Sequence, residues 1–236
     1  QKLLNIQRKY MNIKNLRRLT ATFTAALALI FGSSAVSAKD LVFDNVAPGT
    51  LESLVGEDTD ATSLTVQGAI DVRDLDFIGL SMLSLEKLNI KDASIAAYNG
   101  FRAVSQLSEF KANEMPKLCL TGSPITEIAL PQSLTEIGAG ALANTKLKTL
   151  EIPNNILAIG DGAFANCNEL TEVTVPASLK TMGLGMFIRC EGLKKVNFKA
   201  EFIPEETFRG CTALETVVTG PALTAIGNRA FADCSA

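Results

Sequence analysis

The chain of 236 residues contains no histidine, and that absence closes off a wide range of chemistry. Without imidazole, neither a Ser-His nor a Cys-His nucleophile can be assembled. There is no Cys-x-x-Cys pair either, so zinc lacks both its nitrogen ligands and its paired thiolates. The apolar stretch Ala21 to Phe31 falls well short of the roughly 20 residues a membrane span needs. The acidic loop Glu57-Asp58-Thr59-Asp60 lacks the loop glycine and distal glutamate of a hand-type calcium site. Carboxylates that could work as an acid–base pair are Glu205 with Glu206, or Asp71 with Asp74 and Asp76. Neighbours of this kind usually form a solvated face. The composition therefore points away from an enzyme and implies no cofactor and no metal.

What the chain does contain is a period. Phenylalanine and cysteine return together as Phe164 and Cys167, Phe187 and Cys190, Phe208 and Cys211, Phe231 and Cys234, at steps of 23, 21 and 23 residues. A fixed period in this range marks a solenoid of stacked supersecondary units. Units 147–169, 170–192, 193–213 and 214–236 each open on an apolar residue with a second three later, and the first three add a third two after that, as in Leu170, Val173 and Val175, where the last unit has Thr219. Alternation over the closing steps is the pattern of a half-buried strand, and Pro153 and Pro176 end it. Gly160, Gly183 and Gly227 follow, where a turn is expected to need positive φ. The phenylalanine and cysteine, three apart, suit one turn of short helix facing inward. Gly138-Ala-Gly140 and Gly160-Asp-Gly162 belong to the same repeat and lack the third glycine of a dinucleotide-binding loop.

The opening of the unit can be traced upstream through Ile125, Ile128 and Leu130, then Leu85, Leu88 and Ile90, with a partial fit at Leu107 and Phe110. Leu64 and Val66 are read as the first strand and Leu51 to Val55 as a short helix. Because early units lack the phenylalanine–cysteine pair, residues 39–124 are read as a divergent N-terminal cap with early repeats, and 125–236 as the regular repeats. The unit 193–213 is two residues short and carries Pro204 near the usual glycine, which puts its local curvature in question.

Stretches such as Leu147-Lys-Thr-Leu-Glu-Ile-Pro153 and Ile159-Gly-Asp-Gly-Ala-Phe-Ala-Asn-Cys167 resemble the BspA-like leucine-rich repeat family of secreted and surface proteins from host-associated bacteria. The resemblance implies an α/β repeat solenoid: a right-handed superhelix with short parallel strands on the concave face and short helical turns or irregular structure on the convex side. It also implies adhesion to host matrix proteins such as fibronectin or fibrinogen, or to other bacteria.

The N-terminal region points to export. Met11 opens a basic stretch with Lys14, Arg17 and Arg18, then the apolar run, then Val36-Ser37-Ala38 with small residues at cleavage positions. Residues 11–38 are read as a signal peptide cut after Ala38, 1–10 as a mis-started extension, and the C-terminus as a truncation within the repeats. Beyond Ala38 there are 16 basic and 25 acidic residues, a net charge of −9. An acidic surface disfavours nucleic acid and anionic membrane as partners. The expected partner is an extracellular protein or glycan.

Strand positions between the inward residues should face out in columns. They are Thr126, Glu127 and Ala129; Lys148, Thr149 and Glu151; Thr171, Glu172 and Thr174; Lys194, Lys195 and Asn197; Glu215, Thr216 and Val218. This polar face is the candidate ligand site, although it contains no aromatic residue to stack on a sugar. The four repeat cysteines should lie about 5 Å apart and pack as buried thiols. A second reading of the chain is a spacer or targeting segment of a longer secreted protein or enzyme.

Overall fold

The structure, a computed structural model, describes residues 39–236. The expected signal peptide and the extension before it lie outside the described residues. In chain order the elements are β1 Asp40–Val46, α1 Leu51–Val55, β2 Ser63–Ile70, α2 Val72–Ser81, β3 Lys87–Asn89, β4 Ala93–Ile95, β5 Tyr98–Arg102, β6 Leu107–Phe110, β7 Glu114–Met115, β8 Glu127–Ala129, β9 Glu136–Ile137, β10 Thr149–Glu151, β11 Ala158–Ile159, β12 Glu172–Val175, β13 Thr181–Met182, β14 Lys195–Phe198, β15 Phe202–Ile203, β16 Thr216–Thr219 and β17 Ala225–Ile226.

The chain winds as a solenoid of about eight coils with little helix. Each coil contributes one strand to a parallel face, in the order β1-β2-β3-β8 and then β10-β12-β14-β16. The first strand is β1, one coil earlier than the expected Leu64 and Val66, which belong to β2. Residues pair in register, Leu64 with Leu88 with Ile128, and Leu150 with Val173 with Val196 with Val217. Alternation of side chains along each strand sends this column into the core and its neighbours outward.

A second ladder runs beside the first, β7-β9-β11-β13 and β15-β17, two residues per coil. Its interruption, between β13 and β15, falls at a proline, Pro204 directly after β15. Gly183 N–H donates to Ile159 O at 2.8 Å and Gly227 N–H to Ile203 O at 2.7 Å, whereas proline has no N–H to give. The two residues missing from the unit 193–213 come out of the corner between strand and ladder. Leu134, Ile156, Leu179 and Leu223 occupy that corner in other coils, and the short coil has the buried Ala200. Phe198 makes up the lost volume, its ring edge-on to Phe208 at 6.2 Å.

The return path is built of turns, not the short helix that the phenylalanine–cysteine spacing suggests. Two columns of left-handed residues make it. Leu118, Gly140, Gly162, Gly185, Glu206 and Arg229 have φ of 54 to 61°, and four residues later Gly122, Asn144, Asn166, Arg189, Gly210 and Asp233 have φ of 56 to 75°. Gly160, Gly183 and Gly227, expected to need positive φ, do not have it. Space explains them instead. A Cβ on Gly183 would stand 2.3 Å from Asp161 N, and one on Gly227 would stand 2.5 Å from Glu205 N. Only glycine lets adjacent coils approach so closely.

The core runs the length of the solenoid. Phe164, Phe187, Phe208 and Phe231 stack with ring centroids 5.1, 5.7 and 5.5 Å apart, and the first three are fully buried.

Candidate functional site

The parallel face places the expected site residues in three columns. Glu127 lies beside Lys87, and Thr149 beside Glu172, Lys195 and Thr216. One step along the strands, Ala129 lies beside Asn89, and Glu151 beside Thr174, Asn197 and Val218. All of these are exposed or half-exposed. Thr126, Lys148, Thr171, Lys194 and Glu215 form a third column at the rim, just before the strands. Their backbones connect the coils, with Lys148 N–H to Thr126 O at 3.0 Å, Lys194 N–H to Thr171 O at 2.9 Å and Glu215 N–H to Lys194 O at 3.0 Å. The hydroxyls of Thr126 and Thr171 donate to Glu86 O and Lys148 O, so they are partly committed to the scaffold.

Lys195 Nζ is 2.8 Å from Glu172 Oε1, and Asn197 Nδ2 donates to the same oxygen at 3.3 Å. Lys87 Nζ is 3.6 Å from Glu127 Oε2. Lys87, Asn89 and Ser63 belong to this face although sequence reasoning left them out. The alternation around Leu85, Leu88 and Ile90 was the available signal. A groove of about 660 Å³ crosses the face, with Lys87, Glu127, Thr149, Glu151 and Glu172 among its polar lining and Leu88, Ile128 and Leu150 beneath.

The acidic candidates lie elsewhere and are structural. Asp71, Asp74 and Asp76 are 1, 1 and 2 % exposed, so the solvated face expected of them is a correction. The short polar side chain of Asp71 caps α2 by accepting from Arg73 N–H at 2.8 Å, and Asp74 reaches back to Asp71 N–H at 2.9 Å. Asp74 also accepts from Gly49 N–H at 2.6 Å and Leu51 N–H at 2.9 Å. Asp76 pairs with Arg102 at 2.7 Å. Burial pushes its carboxyl above the ordinary value, and the Arg102 guanidinium opposes that rise. In the loop before β2, Lys39 bridges Asp58 and Asp60. Glu206 holds Arg209 at 3.0 Å and Arg229 at 3.4 Å.

The cysteines are free, and those at 119, 167, 190 and 211 are buried. Each repeat thiol donates to a carbonyl of the preceding coil: Cys190 to Phe164 O at 3.1 Å, Cys211 to Phe187 O at 3.2 Å, Cys234 to Phe208 O at 3.2 Å. Thr145 and Ser123 hold the same position in the two coils before Cys167, a continuity missed in the sequence because it crosses residue types. Thr145 donates to Leu142 O at 2.9 Å, whereas the buried Ser123 hydroxyl has no partner. Among the described residues no three acidic or cysteine side chains gather as metal ligands, and no helix is long and apolar enough to cross a membrane.

Comparison with known proteins agrees with this architecture. A family profile described as BspA type leucine rich repeat region matches residues 113–236 in six copies. A leucine-rich repeat protein of T. pallidum is similar in structure with a TM-score of 0.53 and 20% identity, over 86% of this chain and 85% of that one. A leucine-rich repeat protein of Bacteroides ovatus gives a TM-score of 0.50 and 22% identity over 83% of this chain. The chain spans 46% of the length of that protein. At these identities the likeness is one of fold. No curated protein matches the chain.

Proposed function

We propose, on the premise that this chain belongs to the BspA-type leucine-rich repeat family, that it is an exported, non-enzymatic binding module. It holds an extracellular protein on its parallel strand face. One observation carries this reading. Along the face the inward columns are apolar and the outward columns mainly polar and open, in register within each of two runs of four strands. Such a surface is wide and shallow, which suits a protein partner better than a small substrate. Resemblance to the family points to host matrix proteins such as fibronectin or fibrinogen. The basic and small residues at 14–38 support export.

The test is binding of the purified protein to an array of matrix proteins and glycans, beside a variant with Lys148, Lys194 and Lys195 changed to alanine. All three lysines are exposed, so the variant should melt within about 2 °C of the parent, as surface changes do. A matrix protein that binds the parent and is lost in the variant supports the reading. A hit insensitive to every substitution on this face removes the face from the proposal. No hit at all moves the weight to a spacer within a longer protein.

A further inference from the structure

The face and the second ladder fall out of step once. Between β3 and β8 the face advances by one strand, while two short strands lie beside that step, β4, which pairs with β2, and β7, which pairs with β9. The β5–β6 hairpin, inserted between β4 and β7, causes the slip, and Asn113 N–H to Ile95 O at 2.8 Å bridges the extra rung. One rung is about 4.8 Å, so the strands must fan apart here. The next step, β8 to β10, is where the ladder on the face is interrupted. The groove of about 660 Å³ lies over this place.

Its composition is specific. Ile128 is half-buried, whereas Leu88 and Leu150, on either side of it in the column, are 2 and 7 % exposed. Ala129 is the one alanine in a column otherwise of larger side chains from Asn89 to Val218. The floor is therefore apolar and shallowly recessed. Around it stand Glu127, Glu151 and Glu172. Among the described residues Glu151 makes no ion pair. Glu127 and Glu172 share theirs with Lys87 and Lys195, and all four side chains are about half exposed, 48 to 59 %. Exposed pairs of this kind are weak and readily exchanged.

We propose that the groove receives an arginine or lysine side chain from a basic segment of the partner protein. Its aliphatic stem lies on Ile128 and Ala129, and its cationic head among Glu127, Glu151 and Glu172. Long basic side chains suit such a site because stem and head want different surroundings. A guanidinium can also bond a carboxylate through two N–H groups at once. The net charge of −9 after Ala38 draws a basic segment toward this surface. The proposal rests on the reading of the strand face as the binding surface.

The test is fluorescence anisotropy with a labelled peptide of three Gly-Ser-Arg repeats, beside the same peptide with citrulline or glutamate for arginine. The arginine peptide should bind at least about ten-fold tighter than the citrulline peptide, since only the former makes charge-assisted bonds. Glu151→Gln, and Ala129→Leu which fills the floor without changing charge, should each weaken it by about five-fold or more. Glu205→Gln, exposed and away from the groove, should change it by less than about two-fold. Circular dichroism melts establish that each variant is folded. Equal effects of Glu205→Gln and Glu151→Gln, an inert Ala129→Leu, or no binding of the arginine peptide would each overturn the proposal. A matrix protein released by the triple lysine variant but not by Glu151→Gln overturns this inference and leaves the strand-face reading standing. A ligand released by neither removes both.

Discussion

From residue 125 to 236 the core is built in columns, most of which keep one residue type: phenylalanine on phenylalanine, thiol on carbonyl, glycine against the backbone of the coil before. From 39 to 124 the same stacking of strands is reached with single-use contacts. There α2 carries a capping box, Asp74 ties three backbone N–H groups together, and Arg73 stacks on Tyr98 at 4.7 Å while Arg102 pairs with Asp76. A repeated unit can share a core because its neighbour has the same shape. Among the described residues the first coil has a neighbour on one side only, and this region is built with helices, a hairpin and part-buried ion pairs. Periodic stacking tolerates exchange within a column, whereas a bespoke network does not.

That contrast should show most strongly in the two cores. Phe187→Ala, in the middle of the ring stack, should destabilise by about 3–5 kcal/mol. Phe164→Leu should cost less than about 1.5 kcal/mol as a volume-tolerant exchange, because Leu142 already holds that column position one coil earlier. In the first coils, Asp74→Ala strips three backbone donors of their acceptor and should cost about 3–4 kcal/mol, roughly one or more for each orphaned group. Urea unfolding of the three variants measures this. A Phe164→Leu loss equal to that of Phe187→Ala would show that the column does not accommodate exchange.

Two glycines sharpen the comparison within the repeats themselves. Gly183→Ala forces a methyl against Asp161 N and should cost about 2–3 kcal/mol, the scale of overpacking. Gly162 sits at φ +55° with its nearest neighbour, Ala165 Cβ, at 3.5 Å. Its replacement by alanine meets only the left-handed backbone penalty of about 1 kcal/mol. Thermal melts of the pair decide it. The reverse order would mean that turn conformation, not coil spacing, limits the stack.

These two glycine columns also mark what was legible in the sequence. The period, the strand positions and the inward phenylalanines followed from spacing, because a 23-residue step and an alternating strand each leave a pattern along the chain. Which glycine is needed for space and which for φ leaves no such pattern, since both recur with the same period. The burial of Asp71, Asp74 and Asp76 was hidden for a related reason. For Asp74 and Asp76 the partners Gly49, Leu51 and Arg102 lie about 25 residues away, and nothing local announces them; Asp71 is held by Arg73, two residues on. The outward columns were legible as positions. The groove was not, because it arises from a slip between two ladders caused by a hairpin that reads as one more imperfect unit around Leu107 and Phe110.

A pH-dependent effect concerns the thiol column, which distinguishes the coils from Cys167 onward from the two before them. Burial pushes the Cys211 thiol up to about 12 from 9.0, and the thiol donates to Phe187 O at 3.2 Å. The unfolded chain ionises this group at its ordinary value and the folded chain does not. Its contribution to stability is therefore complete below about pH 9 and declines as pH climbs from there toward 12. Cys211→Ser keeps a donor at the position, as Thr145 does naturally, and does not titrate. Against that variant, wild type should lose about 1.4 kcal/mol more for each pH unit above 9, with lysine and tyrosine titration common to both. Urea midpoints at pH 8, 9 and 10 measure the difference. Parallel curves would mean that the thiol stays accessible to water in the fold, and the column would then be a packing feature without an electrostatic consequence.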